Sequence, residues 1–234
     1  MRPETPQVTP ERFAQGFTFS DYIAYAASAE NLRREGTGGG SRHTLGDMSR
    51  AMAGWYATTP LSEWQADAMR RLAEHPDGPA RVLVVSEEWS SDCRRDVPVF
   101  QRLAEAGALE LRIFTRDGQR YGATPEPEDS PNADLMRQFL NRKPGGPYQS
   151  IPIAAFFDAR WRYLYHYTEF PALYHKDTIQ ARLRARRPGE SEGEAGQRYQ
   201  RDWLALRESP FFRVWASACA DEIISELHRR LLPG

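Results

Sequence analysis

The chain has 234 residues, a formal net charge of −1 and only two cysteines. The balanced charge gives no reason to expect nucleic acid or an anionic membrane as a partner, and two cysteines cannot build the disulfide framework of a small secreted protein. No stretch approaches the roughly 20 apolar residues that span a bilayer, and the first residues lack the apolar core of a signal peptide. We therefore expect a cytoplasmic protein with neither a nucleic-acid nor a membrane partner.

Residues 1–59 are predicted to form a helical extension ahead of the main domain. A glycine-rich run at 36–41 interrupts it and lacks the Gly-Lys-Ser/Thr ending of a phosphate-binding loop, so we expect a plain loop there. Thr59 and Pro60 then predict a helix start, as the N-cap and the first helical residue. The apolar residues that follow, Trp64 among them, predict a buried stripe on this helix.

The main domain is predicted over residues 60–187 from an alternation of strands and helices. Short runs of β-branched and aromatic residues predict strands, and apolar residues three to four apart predict helices. In chain order these are a strand at 81–86, a helix at 93–106, a strand at 109–114, a helix around 135–140, strands at 153–157 and 163–167, and a helix from about 171 to 186. A right-handed crossover makes the first two strands parallel, and a short turn makes the last two an antiparallel hairpin. The sequence thus predicts an α/β fold of order βαβαββα with a mixed four-stranded sheet.

Residues 188–234 are predicted to add a C-terminal helical extension that packs on the main domain. A charged, glycine-bearing linker at 188–194 leads into helical segments that break at Ser209–Pro210. The alternating tyrosines of the last predicted strand form a face that we expect to pack against one of these helices. Cys219 is predicted to be a core side chain, because it shares a helical stripe with four large apolar residues: Phe212, Trp215, Ile223 and Leu227.

The residues that follow the first strand carry the most specific pattern: Glu87-Glu88-Trp89-Ser90-Ser91-Asp92-Cys93, with Pro98 five residues further on. A second feature, Ser150-Ile151-Pro152, leads into a later strand. Together with the βαβαββα order, these features resemble the bacterial thioredoxin family, whose site reads Trp-Cys-x-x-Cys before a kinked helix and faces a cis-proline loop. The resemblance covers roughly residues 60–187, and the acidic residues resemble a less-studied branch with a W-C-x-D-C-like site. It implies a thioredoxin fold, thiol–disulfide redox chemistry, and a protein or small-molecule thiol or disulfide as partner.

The chain departs from the family at Ser90, which stands where the attacking cysteine would be. A serine hydroxyl is too weak an acid to replace a thiolate in disulfide exchange, so we expect the dithiol mechanism to be lost. Ser90 is then either an N-cap of the helix or a hydrogen-bond donor to Cys93. The second possibility would make Ser-x-x-Cys similar to the Thr-x-x-Cys of peroxiredoxins.

Cys93 is the remaining thiol of the motif and, with Ser90, the candidate catalytic residue. A helix N-terminus favours a thiolate, whereas burial among apolar side chains raises the pKa of a thiol and leaves it inert. Arg94 and Arg95 lower this pKa only if they do not point into solvent. Solvated loop positions are expected for the neighbouring acidic residues, Glu87, Glu88 and Asp92. The alternative is that one of them accepts the proton of Cys93.

The candidate substrate-binding residues are Trp89, Ile151 and Pro152. A proline held in cis before a strand exposes backbone groups that can pair with an extended substrate. The alternative is a plain trans proline at the first residue of the strand.

These residues predict a thioredoxin-like protein that acts in thiol chemistry through Cys93 and the Pro152 loop, similar to a thiol–disulfide oxidoreductase without its second cysteine. Two alternatives stay open: a redox-inactive binding module that keeps the substrate groove, and a single-cysteine thiol peroxidase. Thiolate reactivity at Cys93 separates the binding module from the other two. We expect no cofactor and no bound metal.

Overall fold

The computed structural model describes residues 5–36, 48–118, 126–144 and 146–232. Its strands are β1 (Pro79–Ser86), β2 (Glu110–Thr115), β3 (Asn141–Lys143), β4 (Gly146–Tyr148), β5 (Ile153–Asp158) and β6 (Tyr163–Thr168). Its α-helices are α1 (Pro10–Ala14), α2 (Phe19–Ala26), α3 (Ala29–Gly36), α4 (Ser49–Thr58), α5 (Glu63–Glu74), α6 (Ser91–Ala106), α7 (Ala133–Met136), α8 (Lys176–Arg184), α9 (Glu192–Glu208) and α10 (Pro210–Leu231).

A four-stranded mixed sheet lies at the centre of the fold, in the order β2-β1-β5-β6. β1 pairs in parallel with β2 and antiparallel with β5, and β5 pairs antiparallel with β6. The predicted α/β fold with a mixed four-stranded sheet is therefore confirmed. The short strands β3 and β4 form a separate hairpin that the sequence did not predict.

The central strand β1 positions the motif. Residues 82–85 are fully buried, as expected for a strand with a neighbour on each side and helices packed on the sheet. Val85, the second-last residue of β1, pairs with Ile153, the first residue of β5. The segment that follows β1 and the segment that precedes β5 therefore lie side by side at one end of the sheet, which brings the Cys93 and Pro152 regions to the same end.

The terminal extensions both pack on this core. Helix α6 lies against β1 and β2 and is flanked by α4, α5 and α10, and α10 also contacts β6. Cys219 of α10 is fully buried, and the prediction that it is a core side chain is confirmed. The tyrosine face of β6 meets the same helix, because the Tyr165 hydroxyl donates a hydrogen bond to Glu222.

The N-terminal segment is fixed along the outer edge of β2. The backbones of Phe17 and Ile113 exchange two hydrogen bonds of 2.8 Å. Nearby, the Arg12 guanidinium donates to both carboxylate oxygens of Asp134, at 2.7 and 2.9 Å. These contacts cover part of a sheet edge that would otherwise be open to pairing with another chain.

The predicted starts of α5 and α8 are wrong. Helix α5 begins at Glu63 instead of Pro60, because Ser62 and Gln65 form a capping box that defines the first turn. Trp64 is 84% exposed, since it lies about 100° around the helix from Gln65, whose face is buried. Helix α8 begins at Lys176, five residues later than predicted, because a 3-10 turn and the left-handed His175, with φ 50°, precede it.

The remaining segments differ less from the expectations. The second half of the predicted linker at 188–194 is already helical, since Ser191 and Glu194 form a capping box at the start of α9. The predicted loop at 36–41 lies outside the described residues except for Gly36, the last residue of α3. Within the described ranges, no helix is both long enough and apolar enough to cross a membrane.

Candidate functional site

Ser90 is the N-cap of α6. Its backbone is extended, its hydroxyl oxygen accepts a hydrogen bond from the Cys93 N–H at 3.4 Å, and its carbonyl accepts one from the Arg94 N–H at 3.0 Å. The helix therefore begins at Ser91, two residues before the predicted start, and Cys93 lies in its first turn. A capping residue therefore occupies the position at which the resemblance predicts an attacking cysteine.

Cys93 points into the protein and its side chain has no exposed surface. The Glu87 N–H donates to its sulfur at 3.5 Å. This contact and the nearby Ser86 and Ser90 hydroxyls lower the pKa of the thiol. Burial outweighs these contacts and raises the pKa of the Cys93 thiol to about 12. At neutral pH the thiol is protonated, so this arrangement holds no nucleophilic sulfur.

The loop before β5 lies beside the motif. The Ile151–Pro152 peptide bond is cis. The Pro152 carbonyl accepts a hydrogen bond of 2.7 Å from the Glu169 N–H, and the Ile151 side chain is buried. Within the described ranges, no residue hydrogen-bonds to the backbone N–H or C=O of Ile151. One donor and one acceptor are therefore left unpaired by the described residues, in a residue that is 5% exposed as a whole.

Trp89 fixes the other side of the site to the loop after β2. Its indole N–H donates to an Asp117 carboxylate oxygen at 3.0 Å, and the Arg116 guanidinium lies 5.3 Å from the centre of its ring. Arg116 in turn donates to the Gln149 carbonyl at 3.0 Å. This chain of contacts links the motif to the segment that carries Ile151.

Glu87 was expected in solvent, and this expectation is wrong: the residue has no exposed surface. The guanidinium of Arg34 binds both of its carboxylate oxygens, at 3.1 and 2.6 Å, and the backbone N–H groups of Arg116 and Asp117 donate to Oε1 at 2.8 and 2.6 Å. Burial raises the pKa of Glu87 to about 7, against the opposing charge of Arg34. The side chain is buried because remote residues supply its hydrogen bonds.

Glu88 is also fully buried, contrary to expectation. Its Oε1 accepts a hydrogen bond of 2.6 Å from Asn31, whereas its Oε2 accepts none from the described residues. Arg94 is buried too, because its guanidinium donates to the carbonyls of Glu88 and Trp89 at 2.9 and 2.7 Å. Arg94 therefore stabilises the motif loop through hydrogen bonds to its carbonyl oxygens.

A second buried charge cluster lies under the first turn of α6. Arg95 has no exposed surface; it binds Asp96 through two hydrogen bonds of 2.6 and 2.7 Å and Asp92 at 3.0 Å. Asp92 also pairs with Lys176 of α8. Burial raises the pKa of Asp96 to about 6 while Arg95 opposes this change, and the Tyr167 hydroxyl donates to Asp96 at 2.8 Å. The expectation that Asp92 is solvated is wrong, and Arg95, whose direction the sequence left open, points into the protein.

Glu169 joins this cluster to the Pro152 loop. Its Oε1 lies 3.6 Å from Lys176 Nζ, and its backbone N–H bonds the Pro152 carbonyl. Its Oε2 accepts hydrogen bonds from three groups: Ser150 Oγ at 2.9 Å, Lys143 Nζ at 2.6 Å and Asn141 Nδ2 at 3.3 Å. The residue has a φ of 69°, a conformation that a non-glycine residue adopts when its surroundings hold it there.

Sequence reasoning missed both clusters, although one local signal existed. Asp92, Arg95, Asp96 and Val99 recur at helical spacing, so the charged residues continue the buried stripe of α6. No such signal marks Glu169. Among the described residues, no group of three or more His, Cys, Asp or Glu side chains could hold a metal ion.

A mixed four-stranded sheet, a helix that begins at a Trp-x-x-x-Cys motif and a cis-proline loop beside it define a thioredoxin-fold protein. A family model described as thioredoxin matches residues 42–182. This range is more than half of the chain, and the chain belongs to the thioredoxin family.

Solved structures share the fold at low sequence identity. A crystal structure of a protein of unknown function from Pseudomonas aeruginosa is 14% identical, with a TM-score of 0.54 over 95% of this chain and 98% of that chain. An HIV epitope scaffold is also 14% identical, with a TM-score of 0.52 over 93% of this chain and 95% of that chain. Among curated proteins, none matches.

Proposed function

We propose that this chain is a thioredoxin-fold binding protein that holds an extended polypeptide beside the Pro152 loop and does not exchange disulfides. The proposal rests on the absence of an accessible thiol at Ser90 and Cys93. Ser90 caps α6 where the attacking cysteine would be, and Cys93 is fully buried with a pKa of about 12. Disulfide exchange needs an accessible thiolate, and neither residue supplies one at neutral pH.

The backbone of Ile151 supports the binding part of the proposal. Its N–H and C=O make no hydrogen bond with the described residues, and the two loops that flank it are fixed by Glu169 and Arg116. A strand-like peptide can pair with such free groups without ordering a flexible loop, which lowers the entropic cost of binding. Trp89 is partly exposed at the end of β1 and offers an aromatic surface for a side chain of the peptide.

Thiol chemistry at Cys93 is the second candidate, and one observation favours it. The sulfur receives a hydrogen bond from the Glu87 N–H, and the nearby Ser86 and Ser90 hydroxyls also lower the pKa of Cys93, so all three groups favour a thiolate. Burial still dominates, so this candidate requires that the first turn of α6 opens to solvent. A thiol peroxidase requires the same opening, because peroxide also reacts with the thiolate.

The rate of alkylation of Cys93 by iodoacetamide, measured against pH in a Cys219→Ala background, separates these candidates. The ionised fraction of a thiol falls tenfold for each unit by which its pKa rises. We expect the native protein to react about a thousandfold more slowly at pH 8 than the same chain unfolded in urea. The rate should rise with pH without a plateau below pH 10. A plateau with an apparent pKa below 8 would instead establish a reactive thiol.

Binding is tested with cysteine-free peptides, so that no thiol can contribute. A random twelve-residue library is selected on the wild-type protein and on Cys93→Ser, and amide exchange of residues 149–152 is measured with each selected peptide. We expect the same peptides to bind both proteins and to slow exchange at Ile151. Selected peptides that leave this loop unprotected, or that need Cys93, would contradict the proposal.

A further inference from the structure

The guanidinium of Arg34 fills a buried pocket behind the motif, and each of its N–H groups has an acceptor. Nη1 donates to Glu87 Oε1 at 3.1 Å and to the Asp117 carbonyl at 2.9 Å. Nη2 donates to Glu87 Oε2 at 2.6 Å and to Asn31 Oδ1 at 2.7 Å, and Nε donates to Asn31 Oδ1 at 3.1 Å. The acceptors lie along two edges of the planar guanidinium group. This arrangement favours a guanidinium over an ammonium, which is a point charge and has no such planar set of donors.

The pocket has an acceptor beyond those that Arg34 uses. Glu88 has no exposed surface, and its Oε2 accepts no hydrogen bond from the described residues although it lies 3.9 Å from Arg34 Nη2. Two buried carboxylates, Glu87 and Glu88, thus face one guanidinium. Burial works against the charge of Arg34, but these carboxylates raise its pKa above the usual value. The pocket is therefore built to hold a cation.

Helix α3, which supplies Arg34, is attached by polar side chains. Its only side chains described as buried are Asn31 and Arg34, while Leu32 is 38% exposed. A helix of eight residues is not stable in isolation, and no buried apolar side chain of α3 holds it to the core. Helix α3 can therefore leave without opening the hydrophobic core, and the two carboxylates and the Asp117 carbonyl then remain as the pocket.

We propose that Glu87, Glu88 and the Asp117 carbonyl form an exchangeable guanidinium site. Arg34 occupies the site within the chain, and an arginine side chain of a bound polypeptide occupies it when α3 detaches. The pocket adjoins the proposed peptide groove, since the Arg116 N–H donates to Glu87 and its guanidinium donates to the Gln149 carbonyl. The claim that a bound polypeptide supplies the arginine rests on the proposed function. The claim that the site binds a guanidinium does not.

The first experiment empties the site and refills it with a small probe. The melting temperature of Arg34→Ala is measured with about 20 mM methylguanidinium or methylammonium at constant ionic strength. For millimolar binding we expect methylguanidinium to raise it by about 3–6 °C, because a ligand that binds only the folded state stabilises it. Methylammonium should have no such effect. Arg33→Ala, from the exposed face of the same helix, is the matched control and should respond to neither ion.

Pocket identity is tested by adding Glu87→Gln to Arg34→Ala, which should abolish the response to methylguanidinium. An unchanged response in the double variant, or equal effects of the two ions on Arg34→Ala, would overturn the proposal. Neither outcome tests the peptide groove at Ile151, so the guanidinium site can be disproved without disproving the groove.

A second experiment uses the wild-type chain and does not depend on how the variants fold. Amide exchange of residues 29–36 is measured with arginine amide or lysine amide at about 20 mM. Because the free guanidinium competes with Arg34, we expect exchange in α3 to become severalfold faster with arginine amide only. If exchange is equal with the two compounds, Arg34 is not exchangeable and the proposal is wrong.

Discussion

Asp92 and Lys176 form a buried ion pair between the first turn of α6 and the first turn of α8. Asp92 is 2% exposed and Lys176 9%, so water does little to screen the pair. The carboxylate of Asp92 raises the pKa of Lys176 even though burial opposes this. A helix that lies outside the sheet is thereby attached to the motif by charge.

Replacement of Lys176 by methionine should destabilise the protein strongly. Asp92 would keep Arg95 as a partner but would lose one of its two cations inside the protein. We expect the free energy of unfolding in urea to fall by about 2–4 kcal/mol, because removal of one partner leaves a buried charge poorly compensated. Arg182→Met on the exposed part of the same helix should change it by less than about 0.5 kcal/mol.

The same pair predicts a rescue. Asp92→Asn added to Lys176→Met removes the uncompensated charge, so the double variant should be more stable than Lys176→Met alone. If the two substitutions are additive, the pair contributes no coupling energy and the role assigned to it here is wrong.

The buried carboxyls predict how stability varies with pH. The pKa of Glu87 is raised to about 7 and that of Asp96 to about 6, in both cases mainly by burial. In the unfolded chain such groups titrate near pH 4, so between about pH 4 and 7 the folded protein binds more protons than the unfolded chain. The contribution of these two groups to stability is therefore present at low pH and is lost as the pH rises through this window.

Asp96→Asn isolates one of these contributions. The free energy of unfolding of the wild type minus that of the variant should decrease from about pH 4 to 6 and then stay constant. Asp67→Asn is a control of opposite sign, because a hydrogen bond and charge from Arg71 lower the pKa of Asp67. The free energy of unfolding of the wild type minus that of Asp67→Asn should be constant above about pH 4 and should shrink only below that value. A difference for Asp96→Asn that grows with pH would contradict the assignment.

Glu169 predicts a local effect at the proposed groove. Its carboxylate gathers three donors, one of them Ser150 in the Pro152 loop. In Glu169→Ala we expect amide exchange of residues 149–152 to become about tenfold faster, because the loop loses the side-chain contacts that order it. Asp177→Ala is the control: it removes a carboxylate 67% exposed and 3.5 Å from Lys143, and it should leave exchange in the loop unchanged. Equal effects of the two variants would show that general electrostatics, and not Glu169, order the loop.

The sheet was predictable and the charge clusters were not, for physical reasons that these residues make plain. Residues 82–85 form an apolar run whose burial depends only on its own composition. Glu87 and Asp92 each depend on a distant cation for their burial, since Arg34 and Lys176, 53 and 84 residues away in the chain, bind them. A local sequence cannot show such a partner, and without one a carboxylate stays in solvent. The reactivity of Cys93 was left open at the sequence level for the same reason.

Ser90→Cys tests whether the scaffold keeps the geometry of its family. The Ser90 hydroxyl accepts a hydrogen bond from the Cys93 N–H at 3.4 Å and is near enough to the thiol to lower its pKa. A sulfur at this position would therefore lie next to the Cys93 sulfur. It would also lie at the N-terminus of α6, where the helix dipole favours a thiolate. Loss of the serine cap should cost about 0.5–2 kcal/mol, which leaves room for the variant to fold.

We expect Ser90→Cys to form a disulfide with Cys93 under mild oxidation and to gain weak disulfide reductase activity. The bond is measured by mass and thiol counting in the Cys219→Ala background. Ser91→Cys is the matched control, because it places a thiol one residue further along the same turn, without the contact that Ser90 makes. If both thiols of Ser90→Cys stay free under oxidant while the circular dichroism of the fold is unchanged, the first turn of α6 no longer has redox geometry. The proposed inability to exchange disulfides would then rest on the backbone of this turn as well as on the serine at position 90.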